Sequence, residues 1–157
     1  MKKLLIASTS TVHGSGYLEY LLDTLKIHFK FAETILFVPY ARPGGMTHEA
    51  YTEIVKLAFS KIDKTVIGLH EYDNPKKAIK TAEALFVGGG NTFVLVDQLY
   101  KQDLNDELKA AIDSGTPYLG TSAGSNICGL TIGSSNDMPI AYPPSFQTLG
   151  VFPFNIN

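Results

Sequence analysis

The chain has 157 residues, which is the length of one domain and too short for two. Its 13 lysines and arginines against 15 aspartates and glutamates give a net charge of -2, without the cationic excess that nucleic-acid binding requires. The single cysteine, Cys128, excludes an internal disulfide and a thiolate zinc site and fits a reducing compartment. With 45% hydrophobic residues and no biased tract, residues 1–157 should fold as one globular domain.

The sequence gives no sign of export or membrane insertion. The apolar run that follows Lys3 ends before Ser8, which is too short for the core of a signal peptide. No stretch approaches the 18 apolar residues that a membrane span needs. Histidines and acidic residues do not recur at the spacing of a metal-ligand set. We therefore expect a cytoplasmic protein with no metal, cofactor, membrane partner or nucleic-acid partner, and the sequence leaves room for a homo-oligomer.

Short apolar runs alternate with helical patterns along the chain. Strands are predicted at residues 3–7, 35–38, 65–69, 84–87 and 117–121. Helices are predicted between them, over residues 17–29, around 51–58, and over 74–81, 91–100 and 105–114. This alternation predicts right-handed crossovers, a mostly parallel sheet and a three-layer αβα fold. In such a sheet the residues just after each strand share the working edge, here Ser8, Arg42, His70, Gly88–Gly90 and Ser122.

One motif at this edge is typical of nucleophilic chemistry. Residues 120–124 read Gly-Thr-Ser-Ala-Gly and follow a predicted strand, as the GxSxG elbow of a serine hydrolase does. Gly120 and Gly124 meet the demand for minimal side chains where strand and helix backbones nearly touch. The motif predicts Ser122 as the nucleophile, with the Ala123 amide facing the oxygen of an attacked carbonyl.

A second amide for this oxyanion hole is expected from the glycine run at the end of the neighbouring strand. Gly89 or Gly90 is the candidate, since glycines leave their amides uncovered. The run lacks the third glycine of a dinucleotide fingerprint and the Gly-Lys-Ser/Thr of a P-loop. A simple strand-to-helix turn is the competing interpretation of both glycine motifs. The competing function is a doubly wound module that binds an anion or nucleotide without catalysis.

Three ordered motifs resemble the peptidase E family of aspartyl dipeptidases, which are serine peptidases. They are Val-Gly-Gly-Gly-Asn-Thr-Phe at 87–93, Gly-Thr-Ser-Ala-Gly-Ser-Asn at 120–126 and Asn-Asp-Met-Pro-Ile at 136–140. The likeness extends along essentially the whole chain. It implies a fold similar to class I glutamine amidotransferases and hydrolysis of dipeptides with an N-terminal aspartate. A cyanophycinase-like hydrolase, which also releases aspartyl products, is a neighbouring alternative.

The resemblance also assigns roles to individual residues. Ser122 takes the position of the nucleophile, and Asp137 matches an aspartate considered a member of the charge relay, with a glutamate farther along as the competing candidate. The general base implied by the family is a histidine just after the segment equivalent to residues 155–157, where this chain stops. We therefore expect an incomplete peptidase, inactive by truncation, in which residues 151–157 alternate like a strand and 129–150 form a long loop.

Other residues at the working edge are weaker candidates. Arg42 follows the second strand, where its guanidinium could bind a substrate carboxylate, although a solvated loop charge is the alternative. Asn91 is predicted to cap the helix after the glycine run and is a second candidate for substrate binding. His70 is the resident candidate for the base, against an ordinary surface histidine.

Overall fold

The computed structural model describes residues 1–156, which build one five-stranded parallel sheet. The strand order is β1-β5-β4-β2-β3, so the last strand in the sequence lies between the first and the fourth. The bounds are β1 Leu4–Ala7, β2 Thr34–Val38, β3 Thr65–Gly68, β4 Leu85–Val87 and β5 Tyr118–Thr121. The predicted αβα fold is thereby confirmed.

Within residues 1–156, six α-helices connect or follow these strands. They are α1 Leu22–His28, α2 His48–Ser60, α3 Pro75–Thr81, α4 Thr92–Lys101, α5 Asn105–Asp113 and α6 Ala123–Asn126. The predicted caps hold: Asn74 accepts a hydrogen bond from the amide of Lys77, and Pro75 occupies the first turn of α3. Gly115, with φ of 102°, ends α5 as the sequence predicts.

Each face of the sheet carries its own hydrophobic core. Along β2, Ile35 and Phe37 pack toward α1 and α2, whereas Leu36 and Val38 pack toward α3, α4, α5 and α6. This alternation follows from the period of two along a strand. Both faces are buried, which is why the strands read as continuous apolar runs rather than as alternating ones.

The first helical region differs from the prediction of one helix over residues 17–29. A 3-10 turn at Glu19–Leu21 precedes α1, and Leu18 before it is buried in a left-handed conformation with φ of 58°. The Leu18 amide donates to the Ser10 carbonyl at 2.7 Å, which holds the chain in a loop here. The apolar spacing therefore predicts the buried face correctly but places the helix start too early.

The strand predicted at residues 151–157 is wrong for residues 151–156, and Asn157 lies outside the described residues. The amides of Leu149, Gly150 and Phe152 donate to the carbonyls of residues 127, 129 and 128, at the end of α6. Those backbone groups therefore pair with the end of a helix rather than with a neighbouring strand. Phe152, one of the alternating apolar residues, packs against the hydrophobic core rather than into the sheet.

Residues 129–150 contain no helix and no strand of the sheet, as predicted for a long loop. An isolated antiparallel bridge joins Thr131 to Gln147 and closes the loop on itself. Its middle part, around Asp137, reaches the carboxyl edge of the sheet. Within residues 1–156, no helix is both long and apolar enough to cross a membrane.

The buried thiol of Cys128 gives a first prediction. Burial raises the pKa of Cys128 to about 12, although the Tyr118 hydroxyl beside it lowers that pKa somewhat. At pH 8 only about one molecule in ten thousand would carry the reactive thiolate. We expect Ellman's reagent to leave the native protein unmodified and to titrate one thiol after denaturation. Native reaction at the rate of the denatured chain would contradict this burial.

Candidate functional site

A sharp corner at Ser122 joins β5 to α6. Ser122 has φ of 51° and ψ of -111°, a conformation that residues with a side chain rarely adopt. Its amide donates to the Ala7 carbonyl at 3.0 Å, and its carbonyl accepts from the amides of Ser125 and Asn126. Such backbone strain costs about 1–3 kcal/mol and persists only where surrounding contacts impose it. The serine predicted as nucleophile therefore occupies the geometry of an elbow.

Two glycines permit this corner because three backbones meet there. A Cβ added to Gly120 would overlap the carbonyl of Gly124, and one added to Gly124 would overlap the carbonyl of Val87 on β4. Helix α6 can therefore start directly over β4 and β5 only where both positions lack side chains. These two close backbone contacts explain the GxSxG spacing in this chain.

The side chain of Ser125 stabilises the corner at Ser122, a role that the sequence did not indicate. Its buried hydroxyl lies 2.6 Å from the Ala7 carbonyl and 2.8 Å from the Gly120 carbonyl. One side chain on α6 thus contacts both β1 and β5. A serine on a short helix carries no sequence signal for such a contact, because the contact depends on the packing of α6 over the strand ends.

The glycine run lies beside Ser122, as expected from its position after β4. Strands β4 and β5 pair with Val87 opposite Gly120, which brings Gly89 level with Ser122. A Cβ built on Gly89 would be 3.0 Å from the Ser122 Cβ and 3.7 Å from its Oγ. Within residues 1–156, the amides of Gly89 and Gly90 have no hydrogen-bond acceptor. Neither amide is therefore committed to an acceptor within the described residues.

Ala123 begins α6 and is fully buried. The first amides of a helix have no intrahelical acceptor, so the Ala123 amide also carries an uncommitted N–H beside Ser122. The structure thus brings Ser122, Ala123 and the glycine run together. Their predicted roles as nucleophile and oxyanion hole stay predictions.

A cavity of about 310 Å³ opens next to Ser122. Its volume suits a small ligand rather than a protein segment. Most of the residues in the lining are polar and uncharged, with hydroxyl and amide groups from the ends of β1 and β5, from α6 and from the long loop. The lining residues are Ile6, Ser8, Ser122, Ser125, Asn126, Asn136, Asp137 and Ile156.

Asp137 supplies the carboxylate in this lining. Its Oδ2 accepts hydrogen bonds from the amide of Thr92, at 2.8 Å, and from the Thr92 hydroxyl. Thr92 is the first residue of α4, where the helix dipole favours a negative charge. The structure therefore places Asp137 in the cavity wall with Ser122, held by α4. Its predicted place in a charge relay stays a prediction.

Asn91 uses both ends of its side chain within the protein. Its Oδ1 caps α4 by accepting from the amides of Phe93 and Val94, as predicted. Its Nδ2 donates to the carbonyl of Met138 at 2.8 Å, which fixes the loop next to Asp137. The prediction that Asn91 binds substrate is not supported by these contacts and stays a prediction.

Arg42 lies behind the glycine run rather than in the cavity lining. Its guanidinium carbon is 4.7 Å from the centre of the Tyr51 ring, and the Tyr51 hydroxyl donates to the Gly89 carbonyl at 3.3 Å. Among residues 1–156 its buried Nε has no hydrogen-bond partner. Burial raises the pKa of Tyr17, whose hydroxyl donates to that of Tyr51. Binding of a substrate carboxylate by Arg42 stays a prediction.

Among residues 1–156, none of the four histidines lines the cavity at Ser122. His70 follows β3, three strand positions from β5, so about 14 Å separates the two strands. The His70 ring packs against His48 and lies 3.8 Å from a Glu49 oxygen. His28 contacts the Tyr118 carbonyl at the other end of β5, and His13 is exposed in a turn. Among residues 1–156, the cavity lining contains no histidine to act as a base.

Comparison with known proteins identifies the family. The model of "Peptidase family S51" matches residues 4–157. The chain belongs to peptidase family S51. A Drosophila melanogaster protein named "Probable alpha-aspartyl dipeptidase" is 45% identical over 99% of this chain and 65% of its own length. "Peptidase E" of Streptomyces coelicolor is 44% identical over 98% of this chain and 62% of its own length.

This family S51 chain spans less than two thirds of the length of these curated relatives. Solved structures share the fold. The crystal structure of a peptidase from an acI-B1 Actinobacterium superposes with a TM-score of 0.73 at 18% identity, covering 96% of this chain and 65% of the other. Membership in the family does not favour the alternatives, a binding module without catalysis or a cyanophycinase-like hydrolase.

The close approach at Gly124 predicts a large loss of stability for Gly124→Ala. The added methyl would overlap the Val87 carbonyl, and such overpacking costs about 3 kcal/mol or more. The matched control is Gly44→Ala, since a Cβ at Gly44 meets nothing within 4 Å. Urea unfolding should show a large shift for the first variant and almost none for the second. Equal shifts would mean that the elbow tolerates a side chain.

The strain at Ser122 predicts that Ser122→Gly is more stable than Ser122→Ala. Glycine relieves about 1–3 kcal/mol of strain and loses about 0.5–1 kcal/mol through chain entropy, which leaves a net gain of about 1 kcal/mol. Alanine keeps the Cβ and hence the strain. Chemical unfolding of the two variants measures the difference directly. A glycine variant no more stable than the alanine variant would show that the corner is unstrained.

Proposed function

We propose that this chain carries the nucleophile and oxyanion hole of a serine dipeptidase that releases N-terminal aspartate from small peptides. The observation that carries the proposal is the strained Ser122 corner beside the uncommitted amides of Ala123 and the glycine run. The substrate class is taken from the names of two relatives, "Probable alpha-aspartyl dipeptidase" and "Peptidase E". The proposal includes a cytoplasmic location and allows a homo-oligomer.

The chemistry follows from these positions. The Ser122 Oγ attacks the peptide carbonyl, forming an O–C bond while its proton passes to a base. The Ala123 amide and the Gly89 or Gly90 amide stabilise the negative oxygen of the tetrahedral intermediate. The C–N bond then breaks, the amine leaves with the proton, and water hydrolyses the ester to release aspartate. Asp137, in the cavity wall, is proposed to orient the protonated base.

The base is the part that the described residues do not supply. The cavity lining among residues 1–156 contains no histidine, and the nearest strand-end histidine, His70, is too far from Ser122. Losing the base of such a triad costs several powers of ten in rate, whereas the oxyanion hole alone retains some catalysis. Nucleophile and oxyanion hole are therefore best tested in the presence of an external proton acceptor.

The test uses a fluorophosphonate in imidazole buffer, with the modified residue identified by mass spectrometry. We expect Ser122 to form the O–P bond, with fluoride leaving and imidazole taking the proton. Ser122→Ala should abolish labelling, and Ser60→Ala, which removes an exposed hydroxyl on α2, should not affect it. Addition of an Asp-X dipeptide should slow the labelling by competition. Labelling at another residue, or none at Ser122, would contradict the proposed function.

A further inference from the structure

A buried threonine links the two walls of the candidate cavity. Thr92, with 0% of its surface exposed, places its hydroxyl between Asn126 and Asp137. The Asn126 Nδ2 donates to the Thr92 Oγ1 at 3.0 Å, and the Thr92 hydroxyl donates to the Asp137 Oδ2. The Thr92 amide donates to the same carboxylate oxygen at 2.8 Å. The hydroxyl thus serves as acceptor toward one residue and as donor toward the other.

Both partners of Thr92 line the cavity at Ser122. Asn126 is the last residue of α6, the helix that begins directly after Ser122. Asp137 belongs to the 129–150 loop, which has no regular secondary structure to fix it. The position of the loop therefore depends on its contacts with α4 and with Asn91, the residue that caps α4. Besides the Thr92 bonds, the bond from Asn91 to the Met138 carbonyl provides such a contact.

We propose that Thr92 is a positioning residue, whose hydroxyl fixes the Asp137 carboxylate relative to Ser122. This inference rests on the proposed function of Ser122. Thr92 is too deeply buried to touch a substrate, so it acts through Asp137 and Asn126. A hydroxyl is needed because a methyl group in its place would remove a charge-assisted hydrogen bond from Asp137 and the acceptor for Asn126. Serine keeps both bonds, whereas valine keeps only the shape.

The test compares Thr92→Val with Thr92→Ser by the rate at which a fluorophosphonate modifies Ser122 in imidazole buffer. We expect the valine variant to react about tenfold to a hundredfold more slowly, the loss typical of a hydrogen bond to a charged group. The serine variant should react within about threefold of the wild type. Thr52→Val is the matched control, since Thr52 is equally buried but its hydroxyl only donates to His48 within α2.

A double-mutant cycle separates positioning from a general loss of structure. In the background Asp137→Asn, Thr92→Val should slow labelling by less than about threefold, because the residue through which Thr92 acts has already changed. An undiminished effect in that background would overturn the proposal. Wild-type rates for Thr92→Val, or equal slowing by the serine and valine variants, would overturn it as well.

Chymotrypsin provides a readout that does not depend on Ser122. The 129–150 loop exposes Phe146, which is followed by Gln147, and we expect Thr92→Val to accelerate cleavage there while Thr92→Ser and Thr52→Val do not. Unchanged cleavage in the valine variant overturns the positioning of Asp137. A wild type that is not labelled at Ser122, with cleavage accelerated as expected, contradicts the proposed function and leaves the Thr92 contact standing.

Discussion

The site depends on one close contact, the approach of helix α6 to the ends of β4 and β5. The chain turns from β5 into α6 within a single residue, and the backbones of Gly120, Gly124 and Val87 then touch without any side chain between them. This contact forces Ser122 into positive φ. The register of β4 against β5 brings the glycine run after β4 level with the serine. The backbone strain at Ser122 is therefore a consequence of this packing constraint, and the sheet register places the glycine amides beside the strained residue.

This constraint explains which features the sequence could predict. Parallel strands buried on both faces leave long apolar runs, so five strands and most helices were predictable to within a few residues from hydrophobic period and caps. The GxSxG and triple-glycine motifs were predictable because only glycine satisfies the contacts at Gly120, Gly124 and Gly90. Their meeting at one edge then follows from the general rule for the carboxyl ends of parallel strands.

The remaining features depend on tertiary contacts without a local signature. Ser125, Asn126 and Thr92 lie within the motifs that carry the resemblance, but their hydrogen-bond partners depend on which elements α4 and α6 face. The 151–156 segment alternates like a strand, yet its Phe152 amide donates to the carbonyl of Cys128, just after α6, because periodicity does not reveal the hydrogen-bond partner. Arg42 followed a strand as expected, but its stacking on Tyr51 behind the glycine run depends on α2.

Strain and support are distributed over different parts of this site. The corner at Ser122 is destabilising by itself, and rigid elements impose it: β1 through the Ala7 carbonyl, and α6 through Ser125. The opposite wall, carrying Asp137, is irregular loop and has no such framework of its own. Its attachment to the N-terminus of α4 supplies one, because a helix end offers both free amides and a favourable dipole to a carboxylate. The nucleophile is thus positioned by backbone packing, whereas the acidic group facing it is positioned by side-chain hydrogen bonds. Substitutions at the two walls should therefore have different effects. At the glycines of the corner, any added side chain overlaps the backbone, so no conservative replacement is tolerated. At Thr92, a serine restores the lost hydroxyl.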